Sequence, residues 1–127
     1  MSDTQWTILG ERLIDENRHI RLSTADIRLP DGVEFTQYVA RMPRCAMTLV
    51  LNDAREILLM YRHRWIIDQW VWELPGGYVD HADTRPDINE AETIRWVSLG
   101  KAVEMIDRGE IVGAATVVGV YRALTLS

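Results

Sequence analysis

Cysteine is nearly missing from this chain. Cys45 is the only one among 127 residues, which excludes an internal disulfide and a zinc site of the four-cysteine type. It follows Arg44 at the start of an apolar strand and is read as a buried, inert thiol. Long apolar runs are missing too. No stretch approaches the roughly 18 residues that cross a bilayer, so no membrane partner is expected. The opening Met-Ser-Asp-Thr-Gln has neither a basic start nor an apolar run, so no signal peptide is expected and the location is read as cytoplasmic. Positive charge is in deficit: the formal net charge is -5, which argues against a nucleic-acid partner, since phosphate contacts need a basic surface. His19, His63 and His81 stand apart, without the His-x-x-x-His or His-x-x-Glu spacing of a metal site. Each is read as a surface or hydrogen-bonded histidine, and no nucleophilic triad is visible.

What is present is one domain's length of chain, 47% hydrophobic and 26% charged, ordinary for a globular protein. Trp6 to Ile14 and Ile20 to Leu29 alternate as strands. Ile20, Leu22 and Thr24 share one face while Ile27 and Leu29 fall out of phase, which predicts a bulge in the second strand. Pro30-Asp-Gly32 turns the chain into Glu34 to Ala40, giving a hairpin. Ala46 to Leu51 reads as a short buried strand, Asn52 to Arg55 as a turn, and Glu56 to Tyr61 as the returning arm. Trp70 to Leu74 is strand-like and runs into Pro75-Gly76-Gly77, read as a bend that can bring bare backbone up to a ligand or cation. A polar, acidic segment from His81 to Glu92 comes next. Thr93 to Val97 alternates as a strand. Ser98 is placed to cap a helix that buries Val103, Met105 and Ile106 and ends at Gly109. Ile111 to Leu124 is apolar nearly all round and is read as a closing helix. Strands first and helices last make the fold α+β.

Trp72-Glu-Leu-Pro-Gly-Gly-Tyr-Val-Asp80 resembles the segment that opens the signature box of the Nudix hydrolases. Its glutamate before Leu-Pro-Gly is similar to the ADP-ribose pyrophosphatase-like branch. In that family the box continues as G-x5-E-x7-R-E-U-x-E-E-x-G-U, and its glutamates hold magnesium on a helix. Counted from Gly77, the same places hold Asp83, Ala91-Glu92, Arg95-Trp96 and Ser98. The metal-binding box is therefore read as lost. Asp87 to Leu99, with nearly all of the chain after it, resembles the family's region well downstream of the box. Relative to the family, several tens of residues are thus missing between about Asp80 and Asp87. The expected fold is a truncated Nudix-like one: a mixed β-sheet with N-terminal hairpin strands and C-terminal helices. Residues 1–42 form the strands that carry a dimer, and 43–127 form the truncated core.

The resemblance also nominates site residues. Arg44 and Arg64 match best the arginines that hold the diphosphate, with Arg41 and Arg62 as rivals. The planar fork of arginine suits phosphate oxygens. Glu73 matches the glutamate near the terminal ribose and the metal, and Gly76 and Gly77 the glycines of the box. Glu90 and Glu92 are remnants of the catalytic glutamate that orients or deprotonates water. Asp80 and Asp83 are candidates for a partial metal site, although a solvated acidic loop describes them as well. No cofactor is expected, or magnesium if activity remains. Trp65, Trp70 and Trp72 are candidates to stack a base, or else belong to core or interface. Losing the box helix exposes apolar sheet and an unpaired edge, so a homodimer or higher oligomer, domain-swapped in one version, is expected. Three readings are open: a protein that binds a nucleotide or acts as an oligomeric scaffold, with hydrolysis absent or weak; a working magnesium-dependent hydrolase with a rebuilt site; or a shortened form of an ordinary hydrolase.

Overall fold

The computed structural model describes residues 3–78 and 93–126, and it divides the chain into two compact units, 1–44 and 45–127. The first is a three-stranded antiparallel sheet of β1 (Thr7–Glu16), β2 (Arg21–Arg28) and β3 (Glu34–Arg41), in that order. The β2–β3 turn forms where Pro30-Asp-Gly32 places it. Gly32 adopts φ +91°, a conformation that costs glycine little, and Gly32 N donates to Leu29 O at 3.0 Å.

The expected bulge is in the other strand. β2 runs against β3 in unbroken register, while β1 slips against β2 between Ile8 and Gly10 and again between Leu13 and Asp15. Each slip inserts one extra residue in β1, Leu9 and then Ile14. The pattern explains why. Ile8 and Leu13 are five apart, an odd number, and a regular strand would send them to opposite faces. The first bulge restores the phase: Ile8 pairs with Ile27, and Leu13 with Ser23. Those partners share the β2 face that carries Ala25, and Phe35 joins it opposite Ile27. At the centre of that face Ser23 and Ala25 are buried, at 4% and 1% exposure. Ile8 stays 61% and Leu13 47% exposed.

The second unit holds β4 (Cys45–Met47), β5 (Glu56–Arg64), β6 (Gln69–Glu73), β7 (Gly76–Tyr78), β8 (Thr93–Ser98) and two helices, α1 (Leu99–Asp107) and α2 (Ala114–Leu124). β5 is the middle of a three-stranded antiparallel sheet, with β6 on one side and β8 on the other. β4 pairs with β7. The strand expected over Ala46 to Leu51 shrinks to three residues and is not buried, and Cys45 is exposed rather than inside. The reason is local: β4 sits in a two-stranded sheet that leaves its Cys45 and Ala46 side chains open.

The turn at Asn52 forms as expected. The Asn52 side chain accepts from Glu56 N at 2.8 Å and donates to its carboxylate at 3.0 Å. Arg55 takes φ +58° there. The core lies where α1 and α2 cover one face of β5. Ile57, Leu59, Leu74, Leu99, Ala102, Met105, Ile111, Val120 and Ala123 form it, with Trp72 and Val97 packed at its margin. Met105 is buried as expected, whereas Val103 and Ile106 are half-buried flanks and Leu99 and Ala102 take the inner positions. Thr116, Val120 and Ala123 recur at helical spacing along α2. Gly119 lets the Leu74 side chain press against that helix.

Ser98 caps α1 as its position suggested, its hydroxyl accepting from Lys101 N at 3.2 Å. Ser98→Ala should therefore lower stability by about 1 kcal/mol in urea-induced unfolding, with the slope of the transition unchanged.

Candidate functional site

Alternation along β5 divides the residues with chemistry. Arg62 and Arg64 are two apart and share the face opposite Ile57 and Leu59. The register sets Met60 against Glu73 and Arg62 against Val71, so Glu73 shares that face with both arginines. A four-residue loop, 65–68, joins β5 to β6 and is turned by Ile67 N to Arg64 O and Asp68 N to Trp65 O, with Asp68 at φ +50°. The three charged residues are thus brought together within one hairpin.

Glu73 is 6% exposed, so its carboxylate needs partners in place of water. Arg64 supplies them. Its Nε donates to both oxygens at 2.9 Å, and Nη2 donates to Oε2 at 2.8 Å. This is the paired fork that arginine makes better than lysine. Arg62 approaches from the same strand with Nε 3.5 Å from Oε1. That approach is an ion pair without a hydrogen bond, and the shielded Nε has no hydrogen-bond partner among the described residues. Gly113, which opens α2, lies near Glu73 Oε2, and Thr116 Oγ1 accepts from Leu74 N at 3.2 Å. One carboxylate and two guanidiniums leave the cluster with a single net positive charge. It can take an anion.

The other expected residues are distributed differently. Arg44 is exposed at the last position of the N-terminal unit. Arg41 in that unit is held by Glu11, with Nη2 to Oε1 at 2.8 Å. The chain bends at Pro75, between β6 and β7, as the residues suggested. Neither glycine has a positive φ, and both continue as strand β7. Gly76 is required for packing: a Cβ there would run into the Met47 side chain and the Ala46 carbonyl of β4. Gly77 has open space.

Trp70 and Trp72 pair with His63 and Tyr61, on the face opposite the arginines. Tyr61 stacks on Trp70 with ring centroids 5.3 Å apart and leans on Trp72 at 4.8 Å, and Arg95 lies 5.8 Å above Trp72. His63 Nε2 is 2.9 Å from Asp68 Oδ1, a hydrogen-bonded histidine as expected. These aromatics cannot stack a base held at Glu73. The strand period separates the two sets.

Asp80, Asp83, Glu90 and Glu92, and with them His81, lie outside the described residues. Among the described residues no three of His, Cys, Asp and Glu stand close enough to hold a metal ion. Glu73 is the one carboxylate of the cluster among the described residues, and Arg64 donates to both of its oxygens. The described residues alone do not make a magnesium site. Arg62, a rival candidate by resemblance, stands in the cluster with Arg64, as their i, i+2 spacing on one strand face requires. No described helix is long and apolar enough to cross a membrane.

No protein-family model matches the chain. A CMP-5'-(N-acetyl-N-hydroxy-3-aminopropyl)phosphonate hydrolase of Streptomyces rubellomurinus is 27% identical, over 96% of this chain and 84% of that relative. The alignment runs over 172 positions against the chain's 127 residues, so at least 45 positions have no residue of this chain opposite them. A crystal structure of an ADP compounds hydrolase matches the fold with a TM-score of 0.72 at 11% identity, covering 95% of this chain and 93% of that one. The α+β fold expected from the order of elements is the one observed.

The contrast between the two glycines is measurable. Gly76→Ala should cost about 1–3 kcal/mol in chemical denaturation, because β4 backbone blocks the new methyl group. Gly77→Ala should fall within about 0.5 kcal/mol of the parent.

Proposed function

We propose that this protein, a member of the Nudix superfamily, binds a nucleoside diphosphate-type compound through the β5–β6 hairpin and hydrolyses it weakly or not at all. The observation that carries this reading is the Arg62–Glu73–Arg64 cluster, with its one net positive charge, set immediately before Leu74-Pro-Gly-Gly. Phosphoryl groups are bound by such forks. Hydrolysis in the resembling family needs clustered carboxylates around magnesium, which prefers a near-octahedral set of oxygens. Of the box glutamates counted from Gly77 the chain keeps only Glu92, with Asp83, Arg95 and Trp96 at the other glutamate positions. Glu90 and Glu92 then face water that no metal has acidified, and add little.

A second reading has its own support. Both proteins matched are named hydrolases, and Asp80, Asp83, Glu90 and Glu92 offer four carboxylates within 13 residues. On that reading magnesium is required and these residues rebuild its site.

We also propose a second copy of this chain as partner. Four of the five tryptophans are at least 46% exposed, and Ile8, Leu13 and Phe35 stay exposed on the face of the N-terminal sheet whose centre, Ser23 and Ala25, is buried. Exposed large apolar side chains grouped on one sheet face are stabilised by a covering partner. Sedimentation equilibrium should give a dimer or larger species, and Ile8→Glu should shift it toward monomer. A monomeric parent protein at the same concentration would count against this partner.

Titration calorimetry of ADP-ribose, with and without magnesium, followed by assays for AMP release, separates the readings. Binding without AMP is expected. Magnesium-dependent binding with steady AMP production would establish the second reading instead, and no binding would reject both.

A further inference from the structure

A strand within a sheet bonds on both sides, and among the described residues β8 has a neighbour on one side only. We propose that the outer edge of β8 pairs antiparallel with the β8 of a second copy, about a two-fold axis at Trp96. The proposal deepens the reading that a second copy is the partner. It places a contact on a strand that the N-terminal sheet does not involve.

Hydrogen bonds identify the groups left over at this edge. Opposite residues of an antiparallel pair exchange both of their bonds or neither. Leu58 N donates to Val50 O at 3.1 Å, and Glu56 O accepts from Asn52 N at 3.0 Å. Leu58 and Glu56 thus turn away from the residues opposite them in β8, Trp96 and Ser98. One step on, Leu99 N donates to Arg55 O at 3.1 Å, so the odd-numbered residues are the ones bonded to β5. The N–H and C=O of Ile94 and Trp96 therefore face outward.

Side chains at that edge are open as well. Ile94 is 58% and Trp96 46% exposed, on the sheet face opposite Ile57 and Leu59. Edge strands are normally guarded by a lysine, a proline, a bulge or an inward-turned charge. β8 has none of these. Its register with β5 is unbroken, and its one charge, Arg95, lies over Trp72 on the other face. A regular, unguarded edge accepts an extended strand.

A second β8 is such a strand, and charge sets its register. Opposite residues of one continuous sheet share a face, so their numbers have the same parity here. A two-fold axis at Arg95 would set two guanidiniums against each other in the closely spaced, non-hydrogen-bonded pair. An axis at Trp96 instead sets Trp96 against the partner's Trp96, Arg95 against the partner's Val97 and Ile94 against the partner's Ser98. No charge then meets its like, and the outward N–H and C=O of the two tryptophans satisfy each other. An axis nearer either end shortens the paired stretch. Cross-strand aromatic pairs add stability of their own, and a two-fold contact of this kind closes on itself.

Oxidative cross-linking tests the register. Cys45 is exposed, so Cys45→Ser is the background for each variant. Trp96→Cys should give a disulfide-linked dimer and Arg95→Cys should not, because only residue 96 meets its own copy within disulfide reach. A linked dimer from Arg95→Cys alone, or from neither variant, overturns the proposal. Sedimentation equilibrium of the full chain reads the association itself. Trp96→Pro should shift it toward smaller species, and Trp96→Pro with Ile8→Glu should shift it further than either change alone. Proline there removes an outward N–H and takes no bond from the ladder with β5. Should circular dichroism show that variant unfolded, Trp96→Lys replaces it and should give the same shift by charging the edge. Association lost with Ile8→Glu but untouched by the Trp96 variants overturns the β8 contact and leaves the N-terminal one standing. A monomeric parent protein overturns both, and gives the edge to a strand of another protein.

Discussion

A carboxylate that has left water must be answered by donors, and Glu73 is the place where this chain meets that demand. Its grip by Arg64 joins the end of β6 to the end of β5, while the backbone of the next residue, Leu74, is tied to Thr116 in α2. Removing one partner of such a pair strands a buried charge, which is far more costly than never having placed it there. The hairpin, the start of α2 and the entry into β7 are therefore held by one electrostatic condition. Packing of Leu74 against Gly119 then closes the same corner from the apolar side.

The sheet sorts function by parity. Odd-numbered residues of β5 give the core its Ile57 and Leu59 and continue outward as Tyr61 and His63, which meet Trp72 and Trp70 across the strand pair. Even-numbered residues from Met60 onward lead to the two arginines. One face is aromatic and packed toward helices, and the other is charged. Cross-strand aromatic pairs of this kind stabilise a sheet in their own right, which accounts for Trp70 and Trp72 without a ligand.

Much of the fold is legible in the sequence because its signals are local. Gly32 and Asn52 mark turns by their own backbone and side-chain preferences, and Ser98 caps α1 by the same logic. Alternation alone puts the bulge in the wrong strand because register belongs to a pair: β2's broken alternation is matched by extra residues in β1, which only the partner reveals. The apolarity of its neighbours points Cys45 inward, but burial depends on what lies across from them. In the candidate site the resemblance nominates Arg64, Glu73 and Gly76 alike, but the physical demand for Gly76 comes from β4, 30 residues earlier, which carries no motif.

The cluster around Glu73 is built within twelve consecutive residues, from Arg62 to Glu73, closed by a four-residue loop. In kinetic terms it is a structure of very low contact order. A hairpin of this size closes on the order of microseconds, whereas β8 must be recruited to β5 from much farther along the chain. Its residues need no distant partner to meet, although the burial of Glu73 belongs to the complete fold. Insertion or loss of chain beyond β7 changes what arrives later without altering how these three residues find one another.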